Sequence, residues 1–287
     1  MKPKNIIMVL LDGARQDRIS ISSELMDIAR EGTYFSNMIT ASPYTLASLN
    51  SIFTGMYGSK NGVDGYYNMF KLKEECKTLP EYLKNAGYKT VGDFLSKKLA
   101  SRGFDEVSVH DEYNDNILEI HKKIIDNLSE EENPFFLFLQ YSYLHTSLIN
   151  NVVKKHDDFS EDFFQNSESC KERYNGEIIK AGDYSHQILE YIKRKLDYEN
   201  TIVIFLSDHG QSNGEKIGER AYGVYTYNYT IRTFGIFIGK DIFPRKKIRR
   251  VTKTIDIMPT LMEILKIKEE EIDLEIQGNS LVPLFNT

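Results

Sequence analysis

Cysteine and tryptophan are scarce in this chain of 287 residues, which has two cysteines and no tryptophan. Cys76 and Cys170 stand far apart in polar surroundings and lack the short spacing of a zinc-binding pair. A disulfide framework is therefore not expected. A reducing compartment is the default for such a composition, so we predict a cytoplasmic location.

Long apolar runs are also absent. The run from Asn5 to Leu11 has seven residues, too few for a membrane helix, which needs about 20. No small-residue cleavage site follows it, as would be expected after a secretion signal. We predict that this run is the first buried strand and that the chain has no membrane segment.

The chain has no excess of positive charge. It has 36 Lys and Arg residues against 42 Asp and Glu residues, so its net charge is −6. The basic residues are dispersed, apart from a short cluster at 245–250, so nucleic acid is not an expected partner. The 41% hydrophobic content is enough to form the core of a globular domain, whereas the oligomeric state is left open.

The most informative stretch is 201–210. Thr201 to Leu206 is apolar on both faces, which predicts a strand buried on both sides, as in a parallel sheet covered by helices. Asp208 and His209 follow its carboxyl end, the edge where open α/β sheets bind ligands, and Gly210 permits a sharp turn. This pair predicts a metal site or, alternatively, a cap for the following segment.

Asp12 follows the first predicted strand in the same way as Asp208 follows the later one. If the two strands are neighbours, two carboxylates and the His209 imidazole converge into a set suited to a divalent cation. The alternative is that Asp12 and Asp17 cap a helix predicted over about 21–30. We favour capping for Asp17 and metal binding for Asp12.

A third candidate is Thr45. Pro43 favours an extended backbone, and Leu46, Leu49 and Ile52 have the spacing of a helix that begins near Thr45. As the predicted N-cap, the Thr45 hydroxyl would lie at the positive end of the helix dipole, which favours an ionised nucleophile or a bound anion. Thr45 could equally be a cap with no other role.

Together these motifs resemble the sulfatase family of the alkaline phosphatase superfamily, from Asn5 nearly to Leu284. The first strand and the residues after it resemble the family's first metal aspartate, here Asp12, followed by its Arg-x-Asp, which begins at Arg15. Thr45 occupies the nucleophile position. Further segments match in order: 78–91, 103–105, 134–139, 229–234 and 255–261.

The nucleophile motif departs from the family pattern. True sulfatases carry Cys or Ser, converted to formylglycine within Cys/Ser-x-Pro-x-Arg. Here the residue is Thr45, and Ala47 and Leu49 replace the proline and the arginine. Formylglycine is therefore not expected at this position.

The resemblance implies roles for the candidate residues. One divalent ion, Mn, Zn, Ca or Mg, is expected on Asp12, Thr45, Asp208 and His209. His145 matches a substrate-side histidine, while Arg15 and Lys216 are the predicted substrate-binding cations, with a solvated side chain as the alternative for Lys216. A second metal site is not expected, because Tyr222 stands where two-metal relatives carry histidine.

The implied fold is an α/β, alkaline phosphatase-like three-layer sandwich around a mixed, mainly parallel sheet. We predict one domain over 1–287, with a small C-terminal subdomain from about residue 235 as an option. The segment 150–173 is a candidate lid or recognition insertion. The remaining histidines are predicted to be surface or core residues: His110, His121, His156 and His186.

The predicted function is metal-dependent hydrolysis of a small anionic ester, preferentially a phosphate ester. Thr45 would attack, and His145 would protonate the leaving group or bind an oxygen of the substrate. Three alternatives remain: a sulfuric ester hydrolase, a phosphotransferase acting on envelope polymers, and a catalytically silent binding protein.

Overall fold

The computed structural model describes residues 4–65, 70–148, 167–216, 225–267 and 276–286. The strands are β1 (Asn5–Leu11), β2 (Thr33–Ile39), β3 (Lys89–Phe94), β4 (Glu106–Val109), β5 (Phe135–Tyr141), β6 (Thr201–Leu206), β7 (Arg232–Ile238), β8 (Lys246–Ile248) and β9 (Thr252–Lys253). The helices are α1 (Ser23–Glu31), α2 (Thr45–Thr54), α3 (Gly58–Asn61), α4 (Leu79–Asn85), α5 (Ile117–Leu128), α6 (Tyr143–Leu148), α7 (Ser167–Lys195), α8 (Asn228–Ile231) and α9 (Ile257–Ile264).

Within these ranges nine strands form one sheet, in the order β4-β3-β5-β1-β6-β7-β2-β8, with β9 also paired to β2. β1 lies at the centre and runs parallel to β5 and β6. β7 is antiparallel to both of its neighbours. This arrangement confirms the mixed, mainly parallel sheet.

Side chains alternate between the two faces of β1 and supply two separate cores. Ile7 and Val9 pack with apolar residues of α1, α5 and α7. Ile6 and Met8 pack on the opposite face with residues of α2, α4 and α9. Because successive strand residues point to opposite faces, a continuous apolar run serves both helical layers. The result is the predicted three-layer sandwich.

The chain after residue 235 belongs to the same sheet. The predicted subdomain boundary falls inside β7, and β8 and β9 pair in parallel with β2. α9 contributes to the same core as α2. In the described part of the chain, β8, β9 and α9 therefore pack with the main sheet and its core.

The helix that follows β1 differs in detail from the prediction. Residues Gln16–Ile21 form a 3-10 helix, and α1 begins only at Ser23. Ser22 is its N-cap and accepts a hydrogen bond from the backbone of Leu25. The prediction that Asp17 caps this helix is wrong, because its carboxylate binds the side chain of Arg15 instead.

α7 begins at Ser167. Residues 167–173 of the predicted lid segment belong to this helix, while 149–166 lie outside the described residues, as does His156. None of the helices in the described ranges has both the length and the apolar character needed to cross a bilayer.

Candidate active site

Asp12 and Asp208 leave neighbouring parallel strands at the same edge of the sheet. Leu10 of β1 pairs with Leu206 of β6, and each aspartate stands two residues further along. Continuing this register brings the two carboxylates together. The sequence predicted that these carboxylates converge if the two strands are neighbours, and the sheet meets this condition.

A glutamine orients the first of these carboxylates. Nε2 of Gln140 donates a 2.7 Å hydrogen bond to Oδ2 of Asp12, while Oε1 of Gln140 accepts one from the backbone of Leu95. Gln140 is buried within the otherwise apolar strand β5. Our sequence reasoning missed it, although a lone amide in an apolar strand was a usable signal.

The second carboxylate is only partly satisfied. Oδ1 of Asp208 accepts hydrogen bonds from the backbone of Gly13 at 3.2 Å and of His209 at 2.9 Å. Oδ2 is buried and has no hydrogen-bond partner among the described residues. Burial, and next the nearby charge of Asp12, raise the pKa of Asp208 to about 6. A cation at this point would offset both the burial of this carboxylate and its repulsion by Asp12.

His209 offers the third donor. Its Nδ1 lies 2.8 Å from the carbonyl oxygen of Gly210, so Nδ1 carries the proton and Nε2 keeps a lone pair. Nε2 lies 3.4 Å from Oδ2 of Asp208 and 3.8 Å from Oδ1 of Asp12. A ring held through one nitrogen and open at the other is the usual state of a metal-ligating histidine.

The turn that carries these residues is fixed on both sides. Oγ of Ser48 donates a 2.9 Å hydrogen bond to the carbonyl of Asp208, which ties α2 to the end of β6. The backbone of Gly210 donates to the carbonyl of Thr230 at 2.7 Å. A Cβ atom on Gly210 would lie 2.0 Å from the carbonyl oxygen of Tyr229, so only glycine fits there.

Thr45 is the first residue of α2, and Tyr44 is its N-cap, so the predicted N-cap was wrong by one position. The Thr45 hydroxyl oxygen lies 3.1 Å from Nε2 of His209, and 3.3 and 3.5 Å from the two carboxylate oxygens of Asp12. The hydroxyl therefore points into the cluster and not along its own helix.

The geometry and chemistry of this cluster fit a divalent cation. Asp12, Asp208 and His209 each offer a ligand atom, and these atoms lie within 4.8 Å of one another. Two carboxylates and one imidazole are a donor set that Mn²⁺, Zn²⁺, Ca²⁺ and Mg²⁺ can all share. The unpartnered oxygen of Asp208 is the observation that favours an ion over a closed hydrogen-bond network.

Arg15 lies beside this cluster, but its charge is already engaged. Its Nε and Nη2 each lie 2.9 Å from a carboxylate oxygen of Asp17, and Nη1 binds Glu215. Another Nη1 contact reaches the carbonyl of Gln211 at 3.2 Å. Arg15 thus fastens the loop after β6 to the turn after β1.

Lys216 is exposed, and its ammonium lies 5.4 Å from the ring centroid of Tyr227. This contact is a cation–π interaction at the surface. The structure does not bring Lys216 into the carboxylate cluster. Tyr222, at the position where two-metal relatives carry histidine, lies outside the described residues.

His145 lies in the first turn of α6, where its backbone donates to the carbonyl of Ser142 at 3.0 Å. Its Nδ1 is 3.8 Å from Oε2 of Glu112, and both side chains are mostly buried. Burial opposes the charged ring, but the carboxylates of Glu112, Asp12 and Asp208 outweigh it and raise the pKa of His145. The structure thus places His145 in the electric field of the cluster.

Asp93, His110 and His121 form a second buried group of titratable residues, and both ring nitrogens of each histidine have partners. Oδ2 of Asp93 is 2.6 Å from Nδ1 of His110 and 3.0 Å from Nε2 of His121. The other ring nitrogens contact Oγ of Ser142, at 3.0 Å, and the hydroxyl of Tyr184. These histidines are core residues, and the sequence offered no sign that they meet Asp93. Since every ring nitrogen already has a partner, we assign this group as a hydrogen-bond network.

Residues 4–267 match a family model described as Sulfatase. The chain belongs to the sulfatase family. This match confirms the resemblance to the sulfatase family that the sequence motifs indicated. Among curated relatives, an ulvan-active sulfatase from Formosa agariphila is 24% identical over 283 residues, which cover 90% of this chain and 51% of that protein. The chain thus spans about half the length of this sulfatase, and 28% and 41% of two further relatives, an uncharacterized sulfatase from Escherichia coli and an arylsulfatase from Hemicentrotus pulcherrimus.

Solved structures confirm the fold. A 2-O GAG sulfatase superposes with a TM-score of 0.81 at 17% identity, over 99% of this chain and 74% of that one. The phosphonate monoester hydrolase of Agrobacterium radiobacter gives a TM-score of 0.80 at 14% identity, over 98% and 77% of the two chains. At these identities the likeness shows the shared α/β architecture alone.

Proposed function

We propose that this sulfatase-family chain is a metal-dependent hydrolase of small anionic esters, with phosphate and phosphonate esters as its preferred substrates. One observation carries the proposal: the Thr45 hydroxyl lies 3.1 Å from Nε2 of His209 and 3.3 Å from Oδ1 of Asp12, while the N-cap of its helix is Tyr44. A hydroxyl placed between metal-type ligands is in the position of a nucleophile.

Asp12, Asp208 and His209, together with the Thr45 hydroxyl, would hold one divalent cation. Such an ion, when bound, lowers the pKa of a coordinated hydroxyl and offsets the charge of the transferred group. Gln140 and Gly13 orient the two carboxylates through hydrogen bonds. The ligands are thus held before any ion binds.

Thr45 would lose its hydroxyl proton to solvent and form a bond from Oγ1 to the phosphorus atom while the bond from phosphorus to the leaving oxygen breaks. His145 would supply the proton that this oxygen takes up, since the carboxylates of Glu112, Asp12 and Asp208 raise its pKa and so favour the protonated ring. Attack of water on phosphorus would then break the bond to Oγ1, with one water proton taken up by His145, and a proton from solvent would regenerate threonine.

The identity of residue 45 favours phosphorus over sulfur chemistry. A hydrated formylglycine has two hydroxyls on one carbon, so one can expel a group held by the other. Threonine has a single hydroxyl, and release then requires attack of water on the central atom. Ala47 and Leu49, at the positions of the family's proline and arginine, are buried apolar residues.

Hydrolysis of sulfuric esters is the second candidate. The names of its curated relatives favour it, among them the ulvan-active sulfatase and two arylsulfatases. The departures at Ala47, Leu49 and Tyr222 are what keeps the silent binding protein open, and the envelope-polymer phosphotransferase is kept only as an outcome of the test.

The two predicted substrate-binding cations have different proposed roles. We propose that the exposed ammonium of Lys216 contacts the anionic part of the substrate. Arg15, bound by Asp17 and Glu215, would instead stabilise the loop that leads to Lys216. Lys216→Ala should therefore raise KM more than it lowers kcat.

A panel of chromogenic esters tests the proposal. The protein is loaded separately with each of the four metals and assayed on phosphate monoesters, phosphate diesters, phosphonate esters and sulfate esters. Turnover of the phosphorus esters that disappears with Thr45→Ala supports the proposal. Preference for sulfate esters favours the second candidate. If the metal-loaded protein turns over none of the esters, the proposed activity is contradicted and a binding protein is favoured.

A further inference from the structure

His145 and Glu112 stand on two chain segments that meet at one buried hydrogen bond. Oγ of Ser142 lies 3.0 Å from Nε2 of His110. Ser142 immediately precedes α6, which carries His145, and His110 follows β4 and leads to Glu112 two residues later. The same bond therefore fixes the base of both segments.

This bond has a defined direction. Nδ1 of His110 lies 2.6 Å from the carboxylate of Asp93, which also contacts His121, so Nδ1 carries the proton in the neutral ring. The other nitrogen, Nε2, then accepts from the Ser142 hydroxyl. Because these side chains are buried, water does not compete for the bonds.

The two segments bring an imidazole and a carboxylate together. Nδ1 of His145 lies 3.8 Å from Oε2 of Glu112, and the side chains are 21% and 12% exposed. A pair shielded to this degree attracts more strongly than a solvated one. Catalytic hydrogen bonds are often long without substrate and shorten when it binds.

We propose that Glu112 is a positioning residue for His145. Its carboxylate holds Nδ1 and thereby leaves Nε2 as the nitrogen that reaches the leaving oxygen of the substrate. The network of Asp93, His110 and Ser142 holds the segments that carry His145 and Glu112 at a fixed distance from each other. The inference rests on the proposed function, in which His145 is the proton donor.

The first test is spectroscopic and needs no activity. Ring resonances are recorded on protein labelled with ¹⁵N-histidine, and those of His145 are assigned by their loss in His145→Gln. Glu112→Gln should shift the His145 resonances, whereas the matched variant Glu119→Gln, whose carboxylate is 62% exposed, should leave them in place. Unchanged His145 resonances in Glu112→Gln would overturn the proposal.

The second test uses the leaving group. Glu112→Gln should lower kcat/KM for an alkyl ester about 10- to 100-fold more than for the para-nitrophenyl ester, which needs little protonation. Glu112→Asp should recover part of the loss. Equal losses on both esters would contradict a role through His145. If the wild-type protein hydrolyses neither ester, the proposed function fails, and the resonances still decide whether Glu112 orients His145.

Discussion

The hydroxyl oxygen of Thr45 lies 3.1 Å from Nε2 of His209, although 164 residues separate them in the sequence. The first residue of α2 is thereby delivered to the turn after β6. The same turn receives a hydrogen bond from Ser48, one helical turn further along. This relationship distinguishes Thr45 from a threonine that only caps its helix.

Thr45→Ala should lower turnover by several orders of magnitude, because the nucleophile is lost. The free energy of unfolding should change by less than about 1 kcal/mol, since Tyr44 and not Thr45 holds the N-cap position. Thr45→Ser should retain activity. Steady-state kinetics and urea denaturation measure the two effects, and mass spectrometry of protein quenched during turnover should find the phosphoryl adduct on the Thr45 peptide.

The control for this variant is Thr54→Ala at the other end of α2. Its hydroxyl donates to the carbonyl of Asn50 and accepts from Asn61, away from the cluster. This variant should be less stable but keep its turnover. The opposite pattern, an active Thr45→Ala, or an adduct on another residue, would exclude Thr45 as the nucleophile.

Metal binding should distinguish the two buried clusters. We expect about one divalent ion per chain, lost in Asp208→Asn because the unpartnered oxygen is a proposed ligand. Asp93→Asn should lower stability but keep the ion, since its network is already closed by His110 and His121. Elemental analysis after dialysis measures both. If Asp93→Asn loses the ion and Asp208→Asn keeps it, the metal lies in the cluster of Asp93, and our assignment of the site is contradicted.

Gln140→Leu should weaken metal binding about 10- to 100-fold, the usual effect of losing a residue that orients a ligand. The change removes the 2.7 Å hydrogen bond to Asp12 and leaves the backbone amide of Leu95 without its acceptor. Gln187→Leu, on the exposed face of α7, is the control. Titration calorimetry gives the affinities, and equal values for the two variants would refute the orienting role.

The pH dependence of the metal-free protein should reveal the raised pKa of Asp208, which is about 6. Between pH about 4 and 6 the folded state then binds a proton that the unfolded state has lost, so this group lowers stability as pH rises through that window. The whole effect is at most about 3 kcal/mol. Below pH about 6, protons should also compete with the metal for this carboxylate.

Urea denaturation of the metal-free protein at several pH values measures this effect. Asp208→Asn has no titrating group at this position. The unfolding free energy of the wild type should therefore fall relative to that of the variant as pH rises from about 4 to 6. A difference that stays constant across this range would show that the pKa of Asp208 is not raised.

The sequence predicted the parts of the site that depend on local pattern. Apolar runs ending in Asp12 and in Asp208 indicated buried strands with carboxylates at one edge of a parallel sheet. Helix ends were predicted less accurately, because the first helical residue can shift by one or two positions without changing the apolar pattern of the helix. Tyr44 and Ser22 hold the cap positions that were assigned to Thr45 and Asp17.

The sequence by itself determined the family, the layered α/β fold and the candidate ligands, because strand periodicity and motif order are written along the chain. Only the tertiary structure decided that Gln140 reaches Asp12, that His110 and His121 share Asp93, and that Glu112 faces His145. Each of these contacts depends on which strands are neighbours and on side-chain packing between distant segments. Local sequence patterns do not encode such pairings, which arise when the sheet is assembled.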